Sequence, residues 1–168
     1  MNETHSRIVH LQWEGPFTWE GKNKLVNKSD YGIYQIYGCH PIYGSEVLLY
    51  IGKACKQTFA DRLNQEWQWP HHQDAERISI YVGRCSGWEG TPNNEEWEKQ
   101  IELSEKILIL AALPAYNGRK WINPNDPQLR GLHILNWGSY RSLLPEASGH
   151  RYSSEFYDET NYKPFEDD

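Results

Sequence analysis

The chain has 168 residues, of which 38% are hydrophobic and 14% aromatic, enough for one domain with a sizeable core and too few for two cores joined by a linker. No apolar run approaches the roughly 18 residues of a membrane span, and residues 1–30 lack a signal peptide's apolar segment, so we expect a soluble, cytoplasmic protein without a membrane partner. The net charge of −6 argues against a broadly basic surface, but residues 155–168 hold six acids and one lysine, so the rest is nearly neutral and DNA stays open as a partner.

Residues 31–117 are the organised part of the chain. The flanking residues 1–29 and 118–168 are rich in Trp, Tyr, Gly, Pro and Asn and show weak periodicity. We expect them to extend the core as decorations of a single domain, 1–168, and to include short extra strands. The acidic residues 155–168 are interpreted as a solvated tail.

Two β-prone runs open the organised part, GIYQIYG at 32–38 and VLLYIGKA at 47–54. The CHPIYGSE segment between them supplies Pro and Gly for a turn. This pattern predicts an antiparallel hairpin with a long connecting loop, 39–46, which would either reach a DNA groove or simply lengthen the turn.

The next elements are predicted from apolar spacing. Phe59, Leu63 and Trp67 repeat every four residues, which predicts a helix of about three turns that ends before Pro70. Residues 78–85 alternate and are β-branched, which predicts a third strand. The order β, β, α, β is then completed by a long helix.

The long helix is predicted over residues 94–113, with acids in its first turn and a proline directly after it. Glu105 lies on its apolar face, since its neighbours one turn away include Ile101 and Leu108. An unpaired buried charge is costly. Glu105 is therefore either paired with a structural base or faces a cleft and binds something positive, such as a metal ion.

Other candidate residues are weak when they are taken singly. An arginine such as Arg62 is most often a surface or salt-bridge residue, and tyrosines in strands, such as Tyr34 and Tyr50, usually serve packing. His40, His71 and His72 have no metal-ligand spacing and are interpreted as surface side chains. The three cysteines are odd in number and lack a C-x-x-C pair, which indicates reduced thiols.

The order of the motifs resembles the GIY-YIG nuclease family. Its parts stand as GIY (32–34), YIGKA (50–54), FADRL (59–63) and EKILILAALPAYN (105–117). The resemblance covers residues 31–117 and implies an α/β, or α+β, sandwich whose central three-stranded antiparallel sheet is flanked by helices. It also implies an intracellular protein of bacterial or phage type.

The resemblance implies an active site of six residues: Tyr34, Tyr50, Lys53, Arg62, Glu105 and Asn117. In this interpretation Arg62 contacts the phosphate, with the bidentate fork that a guanidinium offers. Glu105 holds one divalent ion, Mg²⁺ or Mn²⁺, which commonly takes only one or two carboxylates in addition to water and phosphate. Asn117 fixes the local structure or the surroundings of the metal.

The two tyrosines line the implied active site from the hairpin, and Lys53 follows the second strand. Phosphodiester hydrolysis needs a base for water, and a tyrosine with a pKa of about 10 is a poor one at neutral pH. Lys53 and the metal are expected to lower that pKa by favouring the phenolate. We expect Tyr34 or Tyr50 to be the base, with Tyr34 preferred, and the other to orient water or phosphate.

Two features depart from the family pattern. Several members carry a histidine one turn after the arginine, and here that position is Glu66, an acid beside a phosphate site. The interval from Tyr34 to Tyr50 is also longer than is common.

Compact restriction enzymes of the family decorate the same core with terminal extensions, which suits 1–29 and 118–168. The basic segments GKNKLVNK (21–28) and NGRKW (117–121) hold residue types that contact phosphates and bases, or are ordinary solvated loops. We therefore predict a metal-dependent endonuclease that hydrolyses double-stranded DNA, a sequence-specific enzyme of the restriction type that acts as a homodimer. The alternatives are a catalytically inactive nucleic-acid-binding module, a structure-specific repair or recombination nuclease, and a protein-interaction domain.

Overall fold

The computed structural model describes residues 7–66, 68–69, 77–86, 94–118, 122–123 and 126–152, so the acidic tail, His71 and His72 lie outside the described residues. The strands are β1 (Arg7–Phe17), β2 (Gly32–His40), β3 (Gly44–Ala54), β4 (Ser79–Ser86), β5 (Leu132–Gly138) and β6 (Glu146–Ser148). The helices are α1 (Phe59–Asn64), α2 (Asn94–Ala112), α3 (Pro127–Arg130) and α4 (Gly149–Tyr152), and a 3-10 turn covers Gly21–Lys24.

Within the described residues, six strands form one sheet in the order β3-β2-β4-β1-β5-β6. All neighbouring strands are antiparallel except β1 and β5, which run parallel. The mixed α/β class is confirmed, but the expectation of a three-stranded central sheet is wrong. The three predicted strands are present side by side as β3, β2 and β4, and the flanking segments add three more to the same sheet.

Strand β1 explains why the sheet is larger than expected. Its residues Val9, Leu11 and Trp13 are buried and alternate with more exposed ones, so one face packs on the core. Trp13 lies opposite Gly83 of β4, and its indole Nε1 donates a hydrogen bond to Oδ1 of Asn136 in β5, at 2.8 Å. Residues 7–17, which were expected only to extend the core, therefore form the strand that joins β4 to β5 in the middle of the sheet.

Helices α1 and α2 cover different parts of the sheet through separate hydrophobic clusters. The α2 residues Ile101 and Ile107 pack with Ile33 and Ile51 of the hairpin. Phe59 and Leu63 of α1 pack with Tyr34 in a second cluster. Because successive strand residues point to opposite faces, the hairpin contributes side chains to both clusters.

The predicted hairpin and long helix are confirmed, with two corrections at the hairpin and at α1. Strands β2 and β3 extend into the segment predicted as a long loop, which leaves a turn at residues 41–43. Helix α1 ends at Asn64 rather than near Trp69, although Thr58 caps its start in a capping box with Asp61. After Asn64 the amides bond to carbonyls three residues back, which turns Glu66 inward.

Two further expectations concern the described residues. No helix there combines the length and apolar composition that a membrane span requires. Cys39, Cys55 and Cys85 form no disulfide.

In the basic segment 21–28, Lys22 is only 5% exposed and lies over the Trp19 ring, with 4.5 Å between its Nζ and the ring centroid. This lysine therefore serves packing.

Candidate active site at the edge of the sheet

The two glycine-containing motifs place Tyr34 and Tyr50 side by side. Tyr34 of β2 pairs with Gly52 of β3, and the Tyr34 ring fills the space that a side chain at Gly52 would need. A Cβ at Gly52 would lie 2.4 Å from both Cζ and the hydroxyl of Tyr34. The ring centroids of Tyr34 and Tyr50 are 6.2 Å apart. The glycine of the second motif is thus a packing requirement for the tyrosine of the first.

Gly32 has a comparable role where β2 meets β4. Its φ is +140°, a conformation that other residues rarely adopt, and a Cβ there would lie 2.2 Å from the carbonyl oxygen of Gly83. Because β2 and β4 approach each other closely at Gly32, β2 begins in the register that points Tyr34 towards α1.

Glu66 is the centre of a buried polar network, and the sequence identified it only as a departure from the family pattern. Its Oε1 accepts a hydrogen bond from the Tyr34 hydroxyl at 3.0 Å and lies 2.5 Å from Nη2 of Arg62. Its Oε2 accepts a hydrogen bond from Gln68. The side chain is only 7% exposed, so these donors compensate for a charge removed from water. In the sequence, the four-residue spacing between Arg62 and Glu66 was the signal from which this ion pair could have been predicted.

Lys53 and Glu105 form a second charged pair, between β3 and α2. Their Nζ and Oε2 atoms are 3.0 Å apart, and the side chains are 36% and 17% exposed. Burial raises the pKa of Glu105, and the positive charges of Lys53 and Arg62 oppose that rise. Of the two alternatives for Glu105, the structure shows the salt bridge with a basic residue. That residue, Lys53, is itself one of the predicted site residues.

The Tyr34–Glu66–Arg62 network and the Lys53–Glu105 pair both lie beside β3, a strand at one edge of the sheet. Tyr50 is influenced by both: besides burial, the negative charges of Glu66 and Glu105 raise its pKa, and Arg62 lowers it. Burial is the largest influence, and the pKa of Tyr50 is raised overall. Five of the predicted residues thus interact at one edge of the sheet, although they come from β2, β3, α1 and α2.

Asn117 holds this edge in place. Its Oδ1 accepts a hydrogen bond from the Ile51 amide at 2.8 Å, and its Nδ2 donates to the Ile51 carbonyl at 2.9 Å. The amides of Ala115 and Tyr116 bond to the carbonyls of Leu48 and Leu49. The segment therefore satisfies backbone groups that an edge strand would otherwise leave to water. Of the two expected roles of Asn117, this geometry corresponds to fixing the local structure.

The electrostatics of Tyr34 differ from the expectation. Tyr34 has no exposed surface, and burial, followed by the charge of Glu66, raises its pKa well above the usual value. Arg62 opposes this rise, whereas Lys53 is engaged with Glu105. Lys53 is not among the main influences on the pKa of Tyr34, and Arg62 is the cation that favours its phenolate.

The acidic and nitrogen-containing side chains around Glu105 determine whether a divalent ion fits there. Among the described residues, no group of three His, Cys, Asp or Glu side chains is placed to hold a metal. The salt bridge to Lys53 uses Oε2 of Glu105. A single hard carboxylate fits Mg²⁺ or Mn²⁺ when phosphate and water supply the other ligands, so this donor set suits an ion that arrives with a phosphate.

Comparisons with models of known protein families, with curated proteins and with solved structures found no match for this chain. Any function assigned to this edge of the sheet therefore depends on its residues and their geometry.

Proposed function

We propose that the chain is a metal-dependent endonuclease that hydrolyses DNA phosphodiester bonds, as its resemblance to the GIY-YIG nucleases implies, and that it is a restriction-type cutter of duplex DNA. The observation that carries the proposal is a set of contacts at the edge strand: Tyr50 packs beside Tyr34, whose hydroxyl donates to Glu66, the partner of Arg62, and Lys53 of the same strand pairs with Glu105. A phenol, a cation and a carboxylate are the groups that this hydrolysis requires. Residues distant in the sequence supply them together.

Arg62 is assigned to the phosphate. Its side chain is 27% exposed, and Glu66 holds one of its nitrogens, so the guanidinium is oriented before substrate binds. Fixed donors aimed at the developing negative charge stabilise a phosphoryl transition state without reorganisation. Lys53 is partly exposed and adds a second positive charge on the other side of β3.

Tyr50 is assigned as the base, which reverses the preference for Tyr34. Tyr34 is completely buried and its hydroxyl donates a hydrogen bond to Glu66, whereas Tyr50 is only partly buried and Arg62 favours its phenolate. A base must lie within hydrogen-bond reach of the water that it activates. Tyr34 then positions Glu66, and through it Arg62.

Glu105 is assigned to the divalent ion, with phosphate oxygens and water as its other ligands. When bound, the ion supplies positive charge at the phosphate and lowers the pKa of nearby acidic groups. Asn117 keeps β3, and with it Tyr50, in a fixed position through its two hydrogen bonds to Ile51.

The proposal is tested by incubating the purified protein with a long duplex DNA in Mg²⁺, in Mn²⁺ and in EDTA, together with Glu105→Ala. We expect discrete fragments that require the metal and disappear in the variant. Glu102→Ala is the matched control, since Glu102 lies on the same helix, is 52% exposed and pairs with Lys106. Thermal melting verifies that both variants fold.

Cleavage of branched or single-stranded DNA but not of duplex DNA would replace the restriction-type assignment with a structure-specific nuclease. Cleavage of no substrate with either metal would contradict the proposal. A binding module would then be the better description.

A further inference from the structure

Aromatic rings form a continuous series along the edge strand, which we call the aromatic ladder: Tyr43, His40, Tyr116, Trp69, Tyr50 and Tyr34. Successive centroids are 4.5, 5.2, 6.1, 5.6 and 6.2 Å apart. The ladder begins at the turn of the β2–β3 hairpin and ends among the candidate active-site residues. It therefore connects the tip of the hairpin to the proposed site.

The outer end of the ladder is exposed and the inner end is buried. Tyr43 is 68% exposed, Tyr116 is 44% exposed, and the adjacent Ile42 is 83% exposed, whereas Tyr34 has no exposed surface. Packing in the core accounts for the inner rings. It does not account for two tyrosines and an isoleucine presented to solvent at the tip.

The exposed tip is held in a defined conformation. Nδ1 of His40 accepts hydrogen bonds from the amides of Ile42 and Tyr43, at 3.1 and 3.2 Å, and the His40 ring stacks on Tyr43. Gly44 has a φ of +91°, which closes the three-residue turn. The Tyr116 amide is bonded to Leu49 of β3 at 2.9 Å. Both exposed rings are thus ordered before a partner binds, which reduces the entropy cost of binding.

The two segments at the outer end of the ladder carry no acidic side chain that would repel a polyanion. Residues 39–45 and 113–118 contain no Asp or Glu, although the whole chain has a net charge of −6. At the inner end of the ladder, the Tyr34 hydroxyl donates to Glu66, which pairs with Arg62, the residue assigned to the phosphate. Glu46, directly after the first segment, is 82% exposed, but its Oε2 lies 3.6 Å from Nη2 of Arg141, so a DNA strand that reaches Arg62 would pass a paired carboxylate beside the tip.

We infer that the outer end of the aromatic ladder binds unstacked nucleobases of a DNA strand. Tyr43 and Tyr116 would stack on the faces of bases, and Ile42 would occupy the gap that a departing base leaves in the duplex, as apolar wedges do in other DNA-binding proteins. Base faces are available only outside the stack, so the DNA is held with at least one base unstacked near the cleaved bond. This inference rests on the proposed function and specifies its substrate.

The test uses Glu105→Ala protein, so that binding is measured without cleavage, and two labelled duplexes of equal length, one fully paired and one with a single unpaired base. Fluorescence anisotropy gives both affinities. We expect the duplex with the unpaired base to bind at least about fivefold more tightly, because less unstacking is required and base–aromatic stacking is retained. Adding Tyr43→Ala should abolish this preference, and Tyr43→Phe, which keeps the ring, should retain it.

Ile42→Ala is compared with Ile8→Ala, whose side chain is 58% exposed on β1, away from the ladder. We expect weaker binding of the paired duplex in the first variant alone. Equal affinities of Tyr43→Ala and its parent for both duplexes would overturn the inference, as would the absence of DNA binding by the parent.

The two proposals fail separately. Cleavage by the wild-type protein with no effect of Tyr43→Ala on affinity would leave a nuclease whose ladder does not hold bases. A Tyr43-dependent preference for the unpaired base without cleavage of any substrate would leave a binding module with a working ladder.

Discussion

Arg62 in α1 and Arg84 in β4 each hold a buried carboxylate, and their side chains are 27% and 28% exposed. Arg84 uses Nε and Nη2 on Asp30, at 2.9 and 2.7 Å, and Nη1 on Glu14, at 2.5 Å. Asp30 in turn accepts a hydrogen bond from the Asn27 amide. Every nitrogen of this guanidinium thus connects parts of the fold.

The Arg62 network has a different composition and place. Its buried carboxylate, Glu66, also accepts a hydrogen bond from the Tyr34 hydroxyl, and the Tyr50 ring packs beside Tyr34. Arg84 lies on β4 within the sheet, between β2 and β1, whereas the Arg62 network lies beside the edge strand β3. The comparison shows that a buried ion pair alone does not indicate function. Tyrosine neighbours and a place beside the edge strand distinguish the candidate site.

The tyrosines should give the largest effect. Tyr50→Phe removes the proposed base, and we expect a decrease in DNA cleavage rate of about 10³-fold. Tyr34→Phe removes only a hydrogen bond to Glu66 and should decrease the rate by about tenfold. Single-turnover cleavage measures both. Near wild-type rates for both variants would show that neither tyrosine is the base.

Exchanging arginine for lysine tests the comparison of Arg62 with Arg84 directly. Lysine keeps the positive charge but lacks the planar set of donors with which a guanidinium makes bidentate hydrogen bonds. Arg62→Lys should decrease cleavage by about 10²-fold and hardly change the free energy of unfolding. Arg84→Lys should decrease the free energy of unfolding by about 1–3 kcal/mol, with little effect on the activity of the folded protein. Urea titration and cleavage rates are measured for each. Equal loss of stability at both positions would remove the distinction.

Glu66→Gln should decrease the rate by about tenfold, as is expected for Tyr34→Phe, and should give the most specific signature. The pKa of Tyr50 is raised by burial and then by Glu66 and Glu105, so cleavage should increase with pH through the neutral and alkaline range. Removing the negative charge of Glu66 lowers that pKa and should move the rising limb towards lower pH, by about one unit. Glu102→Gln is the control. A profile reduced in height but not displaced would indicate a purely structural Glu66.

Much of the middle of the fold was predictable because its signals are local. The hairpin follows from β-prone runs with a turn between them, and α2 follows from its spacing and from Pro114 after it. Strand β1 also alternates, through Val9, Leu11 and Trp13, but its partners β4 and β5 lie far along the chain. Nothing local to residues 7–17 specifies those pairings, so the six-stranded sheet could not be predicted.

The candidate site divides in the same way. The sequence by itself determined which side chains are available, and it identified Glu105 as a carboxylate on an apolar helix face. The tertiary structure alone decided that Lys53 is its partner, that Glu66 holds Arg62 and the Tyr34 hydroxyl, and that Tyr50 rather than Tyr34 remains partly exposed. The physical reason is that burial and charge pairing depend on distances between elements, which spacing along one element does not specify.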